Sequence, residues 1–112
     1  MKVIEQYIDC MKRGDNVALA NLFNDYGVLH DSSPVKLGKP TLHLEGKMAI
    51  EMMFHHRFGF NGGPFKIYSV SYKSDALVWY FISYGQQILP VSAMITEWDT
   101  EGKIKRLSIY PL

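Results

Sequence analysis

Two side chains in this sequence have the type and the setting for acid–base chemistry. Asp31 ends a short apolar run, Tyr26–Asp31 (YGVLHD), and Tyr7 lies in the helical run before it. A carboxylate at the end of an apolar strand is desolvated, so its pKa rises toward the working pH and it becomes a better base. A tyrosine hydroxyl aimed at the same place donates to a carbonyl, or to the oxyanion formed from it. Each residue also has a plainer reading. Asp31 can cap the Ser32-Ser33-Pro34 turn through its side chain. Tyr7 can be a core tyrosine bonded to some carbonyl.

The other reactive side chains are weaker candidates. At 100° per residue, His56 flanks the apolar face of its helix beside Ala49 and Met52, and is a candidate pocket acid or base. His55 lies on the Met48 side. Glu51 and His55 are four apart and could share a metal, but no second pair matches them, so no metal site is expected. His30 alternates to the opposite side of its strand from Asp31 and should point away. His43 falls in a long loop that could close over a cavity. Tyr80 and Tyr84 share a strand face with Val78 and Ile82, where they line a cavity or belong to a dimer surface.

The elements that must position these groups are legible from periodicity. In residues 2–13, Ile4, Tyr7, Ile8 and Met11 recur on one helical face, and Gly14 is a C-terminal stop. Asp15 is an N-cap for a second helix over 16–23. The strand 26–31 follows. Residues 32–46 hold two prolines and two glycines with no sustained period, and read as a loop. Its Val35, Leu37, Leu42 and Leu44 suggest a flap lying on the body. A third helix spans 47–58. It is apolar on more than one side, which implies burial against two surfaces. GFNGGP, 59–64, breaks the chain. Four strands complete it: 65–73, 76–84, 88–98 and 104–110. Pro90 implies an edge position or a bulge. The strand 76–84 is apolar on both faces and the helices can cover only one, so a homodimer through the other face is expected.

Bulk properties bound the function. The chain has 112 residues and 47% hydrophobic content, enough for one domain over 1–112 with a sizeable core. The net charge is +1 with acids and bases interspersed, which argues against nucleic acid as a partner. No apolar run approaches the ~20 residues of a membrane span. The N-terminus reads as an amphipathic helix rather than a signal peptide. The single cysteine, Cys10, excludes an internal disulfide and a cysteine zinc cage. A reducing, cytoplasmic setting fits these properties.

Three patches carry a resemblance to a known superfamily. YIDCMKRGDNVALANLFNDYGVLHD is similar to the opening of nuclear transport factor 2-like proteins, in particular the SnoaL-like and ketosteroid isomerase-like branches. EGKMAI resembles their entry to the third helix, and ITEWDTEGKIKRLSIY their closing hairpin. The resemblance covers essentially the whole chain. It implies an α+β, cystatin-like cone, with a curved antiparallel sheet wrapped around three N-terminal helices in the order α-α-β-α-β-β-β-β.

By that resemblance Asp31 falls at the general base and Tyr7 at an oxyanion donor. Met94 stands where the isomerases carry a second donor, a protonated aspartic acid, and Phe54 where they carry a buttressing tyrosine. His56 or Tyr80 would be the reserve donor. The expected ligand is a small apolar carbonyl compound lined by Met11, Phe23, Leu29, Met53, Phe54, His56, Tyr80, Ile82, Tyr84 and Met94. The expected chemistry, if any, is cofactor-free isomerisation, dehydration or cyclisation. A non-catalytic binder and a protein-interaction dimer with the same fold are the alternatives.

Overall fold

The first helix, α1 (Val3–Arg13), buries Ile4, Tyr7, Ile8 and Met11, the face its spacing dictates. Gly14 closes it in the left-handed region at φ 71°, donating to the Cys10 carbonyl. The computed structural model describes residues 1–60 and 62–112. Asp15 caps α2 (Asn16–Ala20), accepting from the Ala18 amide at 3.0 Å. This helix stops short of the expected residue 23. Phe23 is instead the first residue of β1 (Phe23–Asp31), where it pairs with Ile104 and is buried. Sheet pairing overrides the helical spacing there.

The expected loop 32–46 is largely structured. One 3-10 turn spans Ser33–Leu37, and β2 (Leu42–Glu45) pairs antiparallel with β1, Leu42 opposite Asp31 and His43 opposite His30. The reading from spacing missed this strand. Four residues of alternation between Pro40 and Gly46 are too few for a period to show.

α3 (Lys47–Phe60) runs two residues past the expected end; Asn61, in the expected break, lies outside the described residues. Its apolar circumference is not buried on two sides. Ile50 and Phe54 are buried, while Met48, Met52 and Phe60 are exposed.

The remaining strands are β3 (Ile67–Tyr72), β4 (Leu77–Tyr84), β5 (Gln87–Trp98) and β6 (Ile104–Pro111). The six strands form one sheet in the order β2-β1-β6-β5-β4-β3. All neighbours are antiparallel except β1 and β6, which run parallel and place the first strand between β2 and β6 in a curved, unclosed sheet. Helices against the concave face of this sheet make an α+β cone. Pro90 sits in unbroken register with Phe81 on β4. Its carbonyl faces the other side, where it accepts from the Leu112 amide just beyond the end of β6. The missing N–H faces the same way, so β5 is an edge only locally.

β4 settles which apolar face is inside. Val78, Tyr80 and Ile82 are at most 2% exposed and join α1, α3 and β1 in one core. Trp79 and Phe81 are each 41% exposed on the convex side, with Tyr68, Met94 and Tyr110 also exposed. No helix among the described residues is long and apolar enough to cross a membrane.

Gly27 holds the pivotal strand in place. The β1–β6 register shifts between Phe23 and Val28, and there a Cβ on Gly27 would stand 2.8 Å from the Ile104 carbonyl and 3.0 Å from that of Asn24. Backbone on two sides cannot give way cheaply. Gly27→Ala should therefore destabilise the protein by about 1–3 kcal/mol, measured by urea unfolding; unchanged stability would show that the bulge is free to shift.

Candidate functional site

The end of β1, the middle of β4, one face of α1 and the inner face of α3 converge on a cavity of about 190 Å³. Asp31 and Tyr7 both line it, so the two residues chosen for their chemistry meet in one place. Met11, Leu29, Met53, Phe54, Tyr80, Ile82 and Tyr84 line it too. The flap adds Ser33, Pro34, Lys39 and Leu42, and its 3-10 turn and β2 close the side that a bare loop would leave open.

Three expected lining residues are elsewhere. Phe23 is buried but sits at the far end of β1, across the bulge from the cavity wall. His56 is exposed, its ring 5.8 Å from that of Phe60. Met94 faces the convex side of the sheet, in register with Leu77 and Ser108, and is 42% exposed. Its neighbours Ala93 and Ile95 point inward instead. A placement that slips by one residue along a strand exchanges the two faces.

The remaining histidines also lie outside. His30 and His43 pair across β1 and β2 with their Nδ1 atoms 3.0 Å apart, and His43 Nε2 is 3.3 Å from Glu45 Oε1. His30 points away from Asp31 as expected, whereas His43 does not close over the cavity. Glu51 and His55 join no group of potential metal ligands among the described residues.

Asp31 caps its turn and also lines the cavity. Its Oδ1 accepts from the Ser33 amide at 2.8 Å and the Ser33 hydroxyl at 2.6 Å, so it does cap the turn. That turn folds inward, leaving the carboxylate 7% exposed on the cavity wall. Burial pushes its pKa up, the two Ser33 bonds and the charge of His30 pull it back, and burial wins.

Three phenols surround this acid. Tyr7 is fully buried, and its hydroxyl has no hydrogen-bond partner among the described residues. It stands close enough to Tyr80 for each to affect the other's ionisation, yet no hydrogen bond between them is closed. Burial, then the nearby Tyr80 and Asp31, hold Tyr7 well above the usual tyrosine range. Burial raises Tyr80 likewise, and lifts Tyr84 to about 12. All three are therefore neutral at physiological pH, and Tyr80, unlike Met94, lines the cavity.

Arg57, Phe65, Val91 and Ile109 complete the wall. Arg57 carried a usable signal, since it falls on the same helical face as Ile50, Met53 and Phe54. Its guanidinium carbon lies 4.2 Å from the centre of the Phe65 ring, and Nη1 donates to the Gly63 carbonyl at 3.1 Å.

No protein-family model matches this chain, and no curated protein matches it at the sequence level. Solved structures match it along nearly its whole length. A nuclear transport factor 2-like protein of unknown function from Mesorhizobium loti aligns with 98% of this chain and 88% of its own, at a TM-score of 0.70 and 15% identity. A SnoaL-like protein of unknown function from Burkholderia thailandensis covers 97% and 91%, at 0.63 and 13%. A protein provisionally designated a ketosteroid isomerase, from Kribbella flavida, covers 98% and 75%, at 0.67 and 11%.

The raised pKa of Asp31 has a consequence for stability. The folded protein binds this proton more tightly than the unfolded chain does, so stability falls as pH rises from the ordinary value of 3.8 through the higher folded one. Asp31→Asn removes that loss and keeps an oxygen for Ser33. The variant should be more stable than the parent at pH 7, with the advantage shrinking as pH falls toward 4 in urea titrations. A less stable variant at pH 7 would mean that Ser33's bonds outweigh the burial cost.

Proposed function

We propose that this chain, which has the cystatin-like, nuclear transport factor 2-like fold shared with SnoaL-like and ketosteroid isomerase-like proteins, performs cofactor-free proton transfer beside a carbonyl. The outcome would be isomerisation, dehydration or cyclisation of a small compound. Asp31 takes a proton from the carbon next to the carbonyl. Tyr7, with Tyr80 beside it, donates to the oxygen as enolate charge develops. Asp31 then returns the proton elsewhere on the same molecule, so no external reagent is consumed.

The observation that carries this reading is the Tyr7 hydroxyl. A buried donor without a partner costs about 1–3 kcal/mol, and here it lies on the same small cavity as a desolvated carboxylate. A ligand carbonyl satisfies it. The cavity of about 190 Å³ is smaller than the ~300 Å³ at which drug-sized pockets begin, so the reading favours a ligand smaller than a steroid.

A binder without chemistry is favoured by one observation, the double use of Asp31 Oδ1 as a turn cap. One experiment separates the two. The protein is offered 3-cyclohexenone in deuterated water, and its conversion to the conjugated enone and its α-carbon exchange are followed by NMR. Asp31→Asn should lower the rate by about 10²–10⁴-fold, and Tyr7→Phe by about 10²–10³-fold. Binding without conversion or exchange selects the binder; unchanged rates in Asp31→Asn remove Asp31 as the base.

A homodimer through the convex face belongs to the same proposal. Trp79, Phe81, Pro90, Ser92 and Tyr110 form a largely apolar patch on adjacent strands, with the Lys73 ammonium 4.5 Å from the centre of the Trp79 ring. Such a self-complementary patch suits a two-fold contact with a second copy. The cytoplasmic setting is also part of the proposal, supported by a Cys10 that is buried and free. Light scattering should give a dimer for the parent and a monomer for Trp79→Lys; a monomeric parent ends the dimer reading.

A further inference from the structure

We infer that the ligand of this pocket carries a carboxylate, held at the cavity mouth by Arg57 with Lys39 and Lys66 beside it. The inference rests on the pocket reading above and adds the polarity of the molecule that enters.

A cleft of about 670 Å³ adjoins the cavity, and Lys39, Arg57 and Tyr84 line both spaces. Lys66 lines the cleft as well, and among its described lining residues there is no aspartate or glutamate. This is a local concentration of positive charge, because the whole chain balances 12 basic residues against 11 acidic ones. A cleft lined by one sign of charge concentrates the opposite sign.

Arg57 is the member best suited to hold a ligand in one orientation. Its guanidinium is only partly exposed, packed on Phe65 and positioned by the Gly63 carbonyl. Burial lowers its pKa, a cost that an anion at the mouth offsets. A guanidinium is a planar fork that matches a carboxylate in a bidentate fashion, whereas the lysines supply undirected charge.

Asp31 is not the anion that Arg57 serves. The groups that pull Asp31's ionisation back toward the ordinary value are Ser33 and His30. Asp31, Tyr7 and Tyr80 line the inner cavity alone, whereas Tyr84, Arg57 and Lys39 line both the cavity and the cleft. The site is therefore ordered along one line, with a carboxylate and phenols at the closed end and cations at the open end. A molecule with a carbonyl at one end and a carboxylate at the other fits that order. The reverse orientation would set two carboxylates together in a desolvated space.

A matched pair of probes tests this. 4-Hydroxyphenylacetate and 4-hydroxyphenylacetamide share a phenol, which mimics the enolate at Tyr7 and Tyr80, and differ in charge at the far end. Titration calorimetry should show the carboxylate binding at least tenfold tighter, with the advantage shrinking as salt is added. Arg57→Gln should abolish that advantage, and a cooperative urea-unfolding transition reports that the variant is folded. Should that variant fail to fold, the Lys39→Gln/Lys66→Gln double variant should reduce the advantage about threefold. Equal binding of the two probes by the parent, an advantage that survives in Arg57→Gln, or one undiminished in the double lysine variant, overturns the inference and leaves the pocket standing. A parent that binds neither probe overturns the pocket reading and this inference together.

Discussion

The site depends on one constraint, a carboxylate that is folded inward and clamped there by its own turn. Asp31 ends β1, and Ser33 binds its Oδ1 twice, through backbone and side chain. The same two bonds pull the flap toward the sheet, where Leu42 of β2 pairs with Asp31 itself. The flap is therefore closed by the residue it covers. Burying an acid costs free energy unless its oxygens are bonded, and the Ser33 bonds offset that cost while leaving the pKa raised. A carboxylate with a raised pKa and a flap over it follow from a single turn.

The electrostatics of the cavity follow from its depth. Three tyrosines at the closed end cannot ionise at physiological pH, so they act only as donors. A cation at the mouth keeps its charge because a guanidinium does not lose its proton under these conditions. The pocket thus grades from neutral donors and one acid to exposed positive charge. Under the proposed function, such ordering selects ligands by the direction in which their polar ends point, and a wholly apolar wall could not do that.

The sheet makes the same point on a larger scale. Its parallel β1–β6 contact places the first strand inside the sheet, paired on both sides, so Asp31 faces helices on one side of a continuous surface. That arrangement leaves an aromatic convex face in water. Exposed apolar area of this kind marks an association surface more often than a free one.

Much of the fold was legible because it rests on local periods. The face of α1, the caps at Gly14 and Asp15, and the two-sided apolar pattern of β4 all follow from spacing and turn chemistry alone. Asp31, Tyr7 and most of the apolar wall were legible for the same reason: each lies at a fixed phase of a helix or strand. What spacing could not reach was pairing. β2 exists because four residues find β1, α2 ends early because Phe23 finds Ile104, and Met94 faces outward because register, not residue type, assigns the sides of β5. Ser33 as the clamp on Asp31 and Arg57 in the cavity wall are likewise relations between residues distant in the chain or across a turn. The sequence by itself determined which side chains are apolar, which can donate and which can hold a proton. Only the tertiary structure decided which of them share a cavity, because burial and charge neighbours, the two quantities that set their chemistry, come into being when the elements pack.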